Sequence, residues 1–279
     1  MSTVEAPAAQ AREERGAGTA DLATERLELG YDGVAVVRSL DVRLPPGRVT
    51  AIVGPNGCGK STLLAGLARV HAPEGGVVLL DGRDMAAMRP RDVARRIGLL
   101  PQQAEAPDGL TVRDLVRYGR HPHQGLLRQW SPEDAAAVQR ALVAADLLDL
   151  ADRPLDTLSG GQRQRAWIAI VVAQETAVVL LDEPTSALDL GHQLEVLDLV
   201  RQLAAQGRTV VLVLHDLSTA CRHADHLVAM RDGRVVAEGP PGDVVTTELV
   251  RDLYEVEAVV LRDPTTGSPV VCPVRRTER

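Results

Sequence analysis

Phenylalanine is absent from the 279 residues, and all aromatics together make up only 2%. A core must therefore be built from Val, Leu and Ala, within a hydrophobic content of 45% that is ordinary for a globular chain. No stretch approaches the roughly 18 to 20 apolar residues of a membrane span. The longest candidate, Ala166 to Ala173, is short and follows the polar run Gln162-Arg163-Gln164-Arg165. Any membrane link must then come through a partner. The three cysteines, Cys58, Cys221 and Cys272, are odd in number, far apart and without metal-type spacing, which suits a reducing cytosol. Positive charge is also in short supply. The net charge of −7 argues against a nucleic-acid-binding surface. Met1 to Gly18 has no apolar run, so it does not read as a signal peptide, and residues 1–21 are expected to form a disordered tail.

Lysine and asparagine each occur once, as Lys60 and Asn56, and both fall in one stretch, Gly54-Pro55-Asn56-Gly57-Cys58-Gly59-Lys60-Ser61-Thr62. This is a full match to the phosphate-cradling pattern G-x-x-x-x-G-K-[ST]. The apolar, β-rich run Val49 to Val53 precedes it, and Ser61 to Ala68 follows with a helical pattern, so the loop joins a strand to a helix N-terminus. Backbone N–H groups there converge on phosphate oxygens, and the helix dipole favours the negative charge. Lys60 is placed to reach the β- and γ-phosphates of a nucleotide, and Ser61 to offer its hydroxyl to Mg2+. Elsewhere the long cations are Arg. The one Lys stands where a compact charge on a thin stem must enter a loop, a task for which a planar guanidinium is ill suited.

The rest of the chain reads as an α/β protein. Glu25 to Leu29 and Val34 to Leu44 are strand-like around a turn at Gly30-Tyr31-Asp32-Gly33. With Val77 to Leu80 they suggest a small antiparallel sheet on the N-terminal side. Ile97 to Leu100 reads as a strand that ends in Pro101-Gln102. Residues 104–158 change character: Thr111 and Ser131 open helices, periodicity continues from Ala135 to Leu150, and no convincing strand appears. This is expected to be a helical subdomain inserted into the core. A helix over Gly160 to Ala173, the apolar strand Ala177 to Leu181, a helix over His192 to Gln206 and the apolar strand Thr209 to Leu214 follow. Two continuous apolar strands separated by a helix are the pattern of a parallel sheet buried on both faces. Short strands at Asp225 to Met230 and Arg234 to Glu238, one helix over Pro241 to Tyr254 and a strand–turn–strand at Ala258 to Val274 complete the chain.

Strand 177–181 runs into Asp182-Glu183-Pro184. In a phosphate-loop protein an Asp at that place holds Mg2+, directly or through water, and Glu183 beside it is placed to orient or activate the attacking water. Without the phosphate loop, the same acids would read as a helix cap. His215 ends the next apolar strand, and ligand sites of open α/β sheets lie at the carboxyl ends of strands, which points His215 at a γ-phosphate. His121, His123, His192, His223 and His226 lack such placement and read as surface or packing residues.

The pentapeptide Leu158-Ser159-Gly160-Gly161-Gln162 lies between these two nucleotide motifs. With them, it makes the chain resemble the ATP-binding subunit of an ATP-binding-cassette (ABC) transporter over roughly residues 22–275. The resemblance implies a P-loop ATPase core with an N-terminal antiparallel β-subdomain and an inserted α-helical subdomain. It implies an ABC domain over 22–257, with 258–279 as a C-terminal hairpin extension and tail. Ser159, Gly160, Gly161 and Gln162 would then form a seat for the γ-phosphate of ATP held by a second copy, so that a head-to-tail dimer closes over two ATP molecules. Tyr31 matches the aromatic residue that stacks on adenine, with packing within its turn as the alternative. Gln102 matches the glutamine that senses Mg2+ and the water, although Gln103 beside it leaves the register open. Ser186-Ala187-Leu188-Asp189 matches the loop through which subunits communicate, and His215 the switch histidine. Cys58 occupies a variable position of the loop, where it is either a tolerated small residue or a point of thiol sensitivity.

Within that family the chain is most similar to importers of ferric siderophores, with haem and cobalamin importers next, on Tyr118-Gly119-Arg120-His121-Pro122-His123, Thr157 to Ala169, Gln174 to Ala177 and Asp263 to Pro273. That likeness implies integral-membrane permease subunits as partners, an extracytoplasmic substrate-binding protein upstream, and a place on the cytoplasmic face of the membrane. Two other readings stay in view. A soluble cassette ATPase of translation or repair usually carries two cassettes or a long coiled coil, for which 279 residues leave no room. Against a phosphate-loop kinase or GTPase stands the pentapeptide at 158–162.

Overall fold

The structure is a computed structural model that describes residues 19–125, 130–186 and 188–277. The expected tail at 1–18, residues 126–129 of the helical region and Ala187 lie outside the described residues. The remaining part of the expected 1–21 tail is packed rather than free. Ala20 is fully buried, its carbonyl accepts the Thr209 hydroxyl, and the Asp21 amide bonds the Asp81 carboxylate.

Three strands and one helix build the entry to the site: β1 (Leu22–Tyr31), β2 (Val34–Leu44), β3 (Val49–Val53) and α1 (Lys60–Leu67). β4 (Gly75–Leu80), β5 (Arg83–Asp84), α2 (Pro90–Ala94) and β6 (Ile97–Leu100) follow. β1 pairs with both β2 and β4, giving an antiparallel sheet of order β2-β1-β4-β5. Next come α3 (Val112–Arg117), α4 (Pro132–Ala144) and α5 (Gly160–Ala173). All three open with a capping box, Thr111/Asp114, Ser131/Asp134 and Ser159/Gln162, each satisfying two otherwise unpaired amides. The remaining elements are β7 (Val178–Asp182), α6 (Leu190–Ala205), β8 (Thr209–Val213), α7 (Leu217–His223), β9 (His226–Arg231), β10 (Arg234–Gly239), α8 (Pro241–Val244), α9 (Thr247–Tyr254), β11 (Val256–Arg262) and β12 (Pro269–Arg276).

The central sheet has the order β10-β9-β3-β8-β7-β6, parallel throughout except for β10 at its edge. Successive side chains of a strand point to opposite faces, and here both faces are covered. Ile52, Val178, Leu180, Val211 and Val213 face the antiparallel sheet and α1. Ala51, Val53, Val179, Leu181, Val210 and Leu212 face the helical layer. This explains why β3, β7 and β8 are buried at every position and why Val178–Leu181 and Val210–Val213 read as unbroken apolar runs. α1 lies between the two sheets, with Leu63, Leu64 and Leu67 at most 1% exposed. Each of these side chains contributes about 1.5–3 kcal/mol of burial, which seats the phosphate-loop helix firmly in the core.

Two expected helices differ from the observed ones. The helix expected from Ala135 to Leu150 stops at Ala144. Asp146 turns into the left-handed region (φ 53°), and only a single 3-10 turn follows at Leu148–Leu150. The apolar pattern continues because the exit segment is itself buried, as Leu147 shows at 0% exposure. The helix expected over Pro241 to Tyr254 is two helices, since Val245 is extended and the Thr246 hydroxyl accepts the Leu249 amide to start α9 anew.

Candidate active site

The sheet registers bring the motifs together. Ile52 and Asp182 both lie opposite Val213, and Leu100 lies opposite Leu181. The carboxyl ends of β3, β8, β7 and β6 therefore lie side by side along one sheet edge. They deliver, in that order, the loop from Gly54, His215, Asp182-Glu183 and Gln102. Such an edge is where open parallel sheets bind ligands.

The loop 54–62 needs its glycines. A Cβ at Gly54 would lie 2.1 Å from the Met230 carbonyl oxygen, and Gly59 takes φ 101° as the N-cap of α1. Gly59 has no side chain to cap α1, and among the described residues no side chain bonds its first amides, which leaves them to an anion. Lys60 is 5% exposed, and its Nζ donates to the carbonyls of Gly54 (2.9 Å) and Pro55 (3.0 Å). An ammonium has three N–H donors, so one remains for a phosphate. Asn56 and Gly57 at the tip are exposed, as is Ser61, whereas Pro55 and Thr62 are partly covered. Cys58 turns inward under the loop, 5% exposed, and burial pushes its thiol pKa up, which disfavours the thiolate.

Ser61 donates its hydroxyl to Asp182 Oδ1 at 3.0 Å. Burial raises the Asp182 pKa above the ordinary carboxylate value, against the opposing hydrogen bond from Ser61. Among the described residues no group of three or more His, Cys, Asp or Glu could form an all-protein metal cage. The Ser61–Asp182 pair is instead a set of hard oxygens suited to a cation that takes its other ligands from phosphates and water.

Glu183 follows at φ 50°, in the left-handed region, which costs a non-glycine residue about 1–3 kcal/mol. Its carbonyl accepts both the amide and the hydroxyl of Ser186, which hold the turn. The 9%-exposed carboxylate is gripped from two sides: Gln102 Nε2 donates to Oε2 at 2.6 Å, and His215 Nε2 lies 2.6 Å from Oε1. Gln102, not Gln103, makes this contact. A carboxylate so oriented at the strand ends can position a water and take its proton.

Other expected site residues are placed elsewhere. Ser159 and Gly160 are exposed, Ser159 and Gln162 bond each other in the capping box, and a Cβ at Gly160 would meet nothing within 4 Å. Among the described residues no hydrogen bond joins 159–162 to the loop 54–62. Tyr31 is 49% exposed, and one side of its ring lies against His71, tilted by 34° with centroids 4.5 Å apart. The His71 Nε2 is itself 2.7 Å from the Gly30 carbonyl oxygen. Sequence reasoning passed over His71, and nothing local would have found it. It follows the C-terminus of α1, and only the fold brings it to the turn at 31. His192, assigned to surface or packing, lies against Gly161 and bonds Asp189. Its one local signal is the three-residue step from Asp189, the spacing of a helix N-cap and its third residue.

The family model for ABC transporters matches residues 37–186. The chain is 51% identical to the ferric enterobactin transport ATP-binding protein FepC of Escherichia coli (strain K12), covering 92% of this chain and 96% of that one. It is 44% identical to the hemin import ATP-binding protein HmuV of Rhodococcus jostii (strain RHA1), covering 90% and 87%. Among solved structures it is similar to an ABC transporter in an inward-facing conformation, with a TM-score of 0.79 and 31% identity over 91% of this chain and 97% of that one. It is also similar to a dimeric ATP-binding cassette in a post-hydrolysis state bound to ADP and phosphate, with a TM-score of 0.69 and 26% identity over 78% and 98%. With its phosphate loop, its strand-end acids and these likenesses, the chain belongs to the ABC transporter family as an ATP-binding subunit.

Proposed function

We propose that the chain is the ATP-hydrolysing subunit of an importer and powers uptake of a ferric siderophore through membrane-spanning permease subunits. The observation that carries the reaction is the grip of Gln102 and His215 on the single carboxylate of Glu183, beside the Ser61–Asp182 pair. The cargo rests on likeness to the enterobactin protein. The hemin relative supports a second reading, in which the cargo is hemin.

In this reading the phosphates of ATP lie in the loop 54–62, held by its amides and Lys60, and adenine stacks on Tyr31. Ser61 and Asp182 would hold Mg2+, with Gln102 beside them; when bound, the ion neutralises charge on the phosphates. Glu183 orients the attacking water and takes its proton. His215 faces the γ-phosphate and keeps the carboxylate aligned. Phosphoryl transfer to water asks for positioning and charge neutralisation more than covalent chemistry, and these side chains supply both.

Ser159 to Gln162 of a second copy close over that ATP, in a head-to-tail dimer. A groove of about 350 Å3, lined by Gln102, Gln103, Glu105, Gly160, Arg163 and Trp167, receives the permease's cytoplasmic coupling segment. No helix among the described residues is long and apolar enough to cross a membrane. In this reading the subunit sits at the cytoplasmic face through the permease, and an extracytoplasmic binding protein delivers the cargo.

The test is Glu183→Gln. Loss of a positioned general base lowers turnover by about 100- to 10,000-fold, while ATP binding persists and a dimer accumulates. Normal hydrolysis by this variant would sink the assignment. In cells, the same substitution should abolish uptake of radiolabelled ferric siderophore and spare hemin; the opposite pattern would favour the hemin reading.

A further inference from the structure

α5 and α6 meet at their N-terminal ends through a contact that the expected mechanism leaves unused. Asp189 is the N-cap of α6. Its Oδ1 accepts the His192 amide at 3.0 Å and its Oδ2 lies 2.8 Å from His192 Nδ1. One carboxylate thus fixes both the backbone and the ring of His192.

The ring then lies flat on Gly161. A Cβ there would be 2.3 Å from His192 Cδ2, 2.4 Å from Cγ and 2.9 Å from Nε2, so the imidazole occupies the place of a side chain at 161. Gly161 is the second residue of α5, two positions after the Ser159 cap. Farther along the same two helices, Arg165 reaches Glu195 at 3.5 Å and continues the seam. The histidine is 34% exposed, and its Nε2 has no hydrogen-bond partner among the described residues.

The 159–162 seat and Asp189, which the proposed dimer presents to the other copy, are therefore joined by one side chain. We infer that His192 is a positioning residue of the ATPase, locking the seat to the Asp189 loop so that both reach the partner copy's nucleotide as one rigid unit. This rests on the head-to-tail reading above. It assigns a role to a histidine that has no place in the hydrolytic site of its own chain.

The geometry makes the idea testable by a double-mutant cycle on the full-length protein. His192→Ala removes the ring but keeps the backbone amide that Asp189 caps, so α6 keeps its start. In this variant, monomer affinity for a fluorescent ATP analogue should stay within about twofold of the parent, because the loop 54–62 is untouched. ATP-driven dimerisation, read in the Glu183→Gln background by size exclusion with light scattering, should weaken on the order of tenfold, the size of a contact-pair coupling. The kcat of the variant with Glu183 intact should fall in step. Gly161→Ala should cause a similar defect by displacing the ring. Combining the two should add nothing further, since removing the ring empties the space the new methyl needs.

If His192→Ala dimerises and turns over like the parent, or if the losses of the two substitutions multiply, the inference is overturned. A Glu183→Gln parent that stays monomeric with ATP would overturn the head-to-tail reading and this inference with it. A parent that dimerises alongside an equally dimeric His192→Ala overturns the inference alone.

Discussion

Truncating Tyr31 to Ala should weaken ATP binding without affecting the phosphate cradle. A base stacked on an aromatic side chain is worth about 1–3 kcal/mol by alanine substitution. Tyr31 is 49% exposed, and one ring face is already taken by His71 at 4.5 Å. Only one face remains for adenine, which places the expected loss in the lower half of that range. About 1–2 kcal/mol corresponds to a rise in Kd of roughly 5- to 30-fold. The assay is competition of ATP and inorganic tripolyphosphate against a fluorescent nucleotide, on the parent, Tyr31→Ala, Tyr31→Phe and His71→Ala. Tyr31→Phe should bind as the parent does. His71→Ala should lose about threefold for ATP, because it removes the ring's backing and the bond to Gly30 but not the stacking face. Tripolyphosphate has no base, so its affinity should be the same in all four proteins. An unchanged ATP affinity in Tyr31→Ala would refute the stacking role. Equal losses for ATP and tripolyphosphate would show instead that Tyr31 shapes the neighbouring loop.

Ser61→Ala removes the hydroxyl that meets Asp182; the Mg2+ concentration for half-maximal hydrolysis should rise on the order of tenfold, as a magnesium titration of turnover would read. Arg120→Met tests the ion cluster that ties the turn at Tyr118–His123 to α4 and α5. Arg120 bonds Asp134, the Ala173 carbonyl and Glu175, and Asp134 is 1% exposed, so the variant should lose about 3–5 kcal/mol in urea unfolding at neutral pH. Burial alone would raise the Asp134 and Glu175 pKa values, but bonds from Arg120, Ser131 and Arg140 outweigh it and hold both below the usual carboxylate range. Their contribution is therefore present above the unfolded-state pKa, near 4, and is lost as pH falls through the folded values. The gap between parent and variant should narrow below about pH 4, and a gap constant from pH 7 to pH 3 would contradict this account.

What could be read from residue order alone follows a physical line. The loop 54–62 was legible because its chemistry is carried by consecutive backbone amides and one lysine, all local. Asp182, Glu183 and His215 were legible because parallel strands buried on both faces leave unbroken apolar runs, and the residues ending such runs must emerge at one edge. Helix starts were legible at Thr111, Ser131 and Ser159 because an N-cap is a four-residue device. Helix ends were not. Between Ala144 and Leu150 the apolar period persists through a segment that is buried without being helical, and at Val245-Thr246 a cap interrupts a pattern that looks continuous. The first residues of β1 were missed because Leu22-Ala23-Thr24 draws its pairing from two partners, Leu44 to Val42 on one side and Leu80 to Val78 on the other.

The three histidines separate these cases most clearly. His215 takes its meaning from the strand it ends, a one-dimensional fact. His71 and His192 take theirs from contacts between segments 40 residues apart (31 and 71) and 31 residues apart (161 and 192). At the first, a ring is backed by another ring. At the second, a helix start that lacks a side chain at 161 is completed by an imidazole from a neighbouring helix. A glycine is usually explained by its backbone. Here Gly161 lies in a regular helix with no positive φ, and the reason a larger residue would not fit is a side chain from another segment. The second glycine of the 158–162 pentapeptide and the histidine after Asp189 are thus one structural unit. If the seat acts across a dimer, a substitution at either position should be felt at the other copy's nucleotide before it is felt at its own.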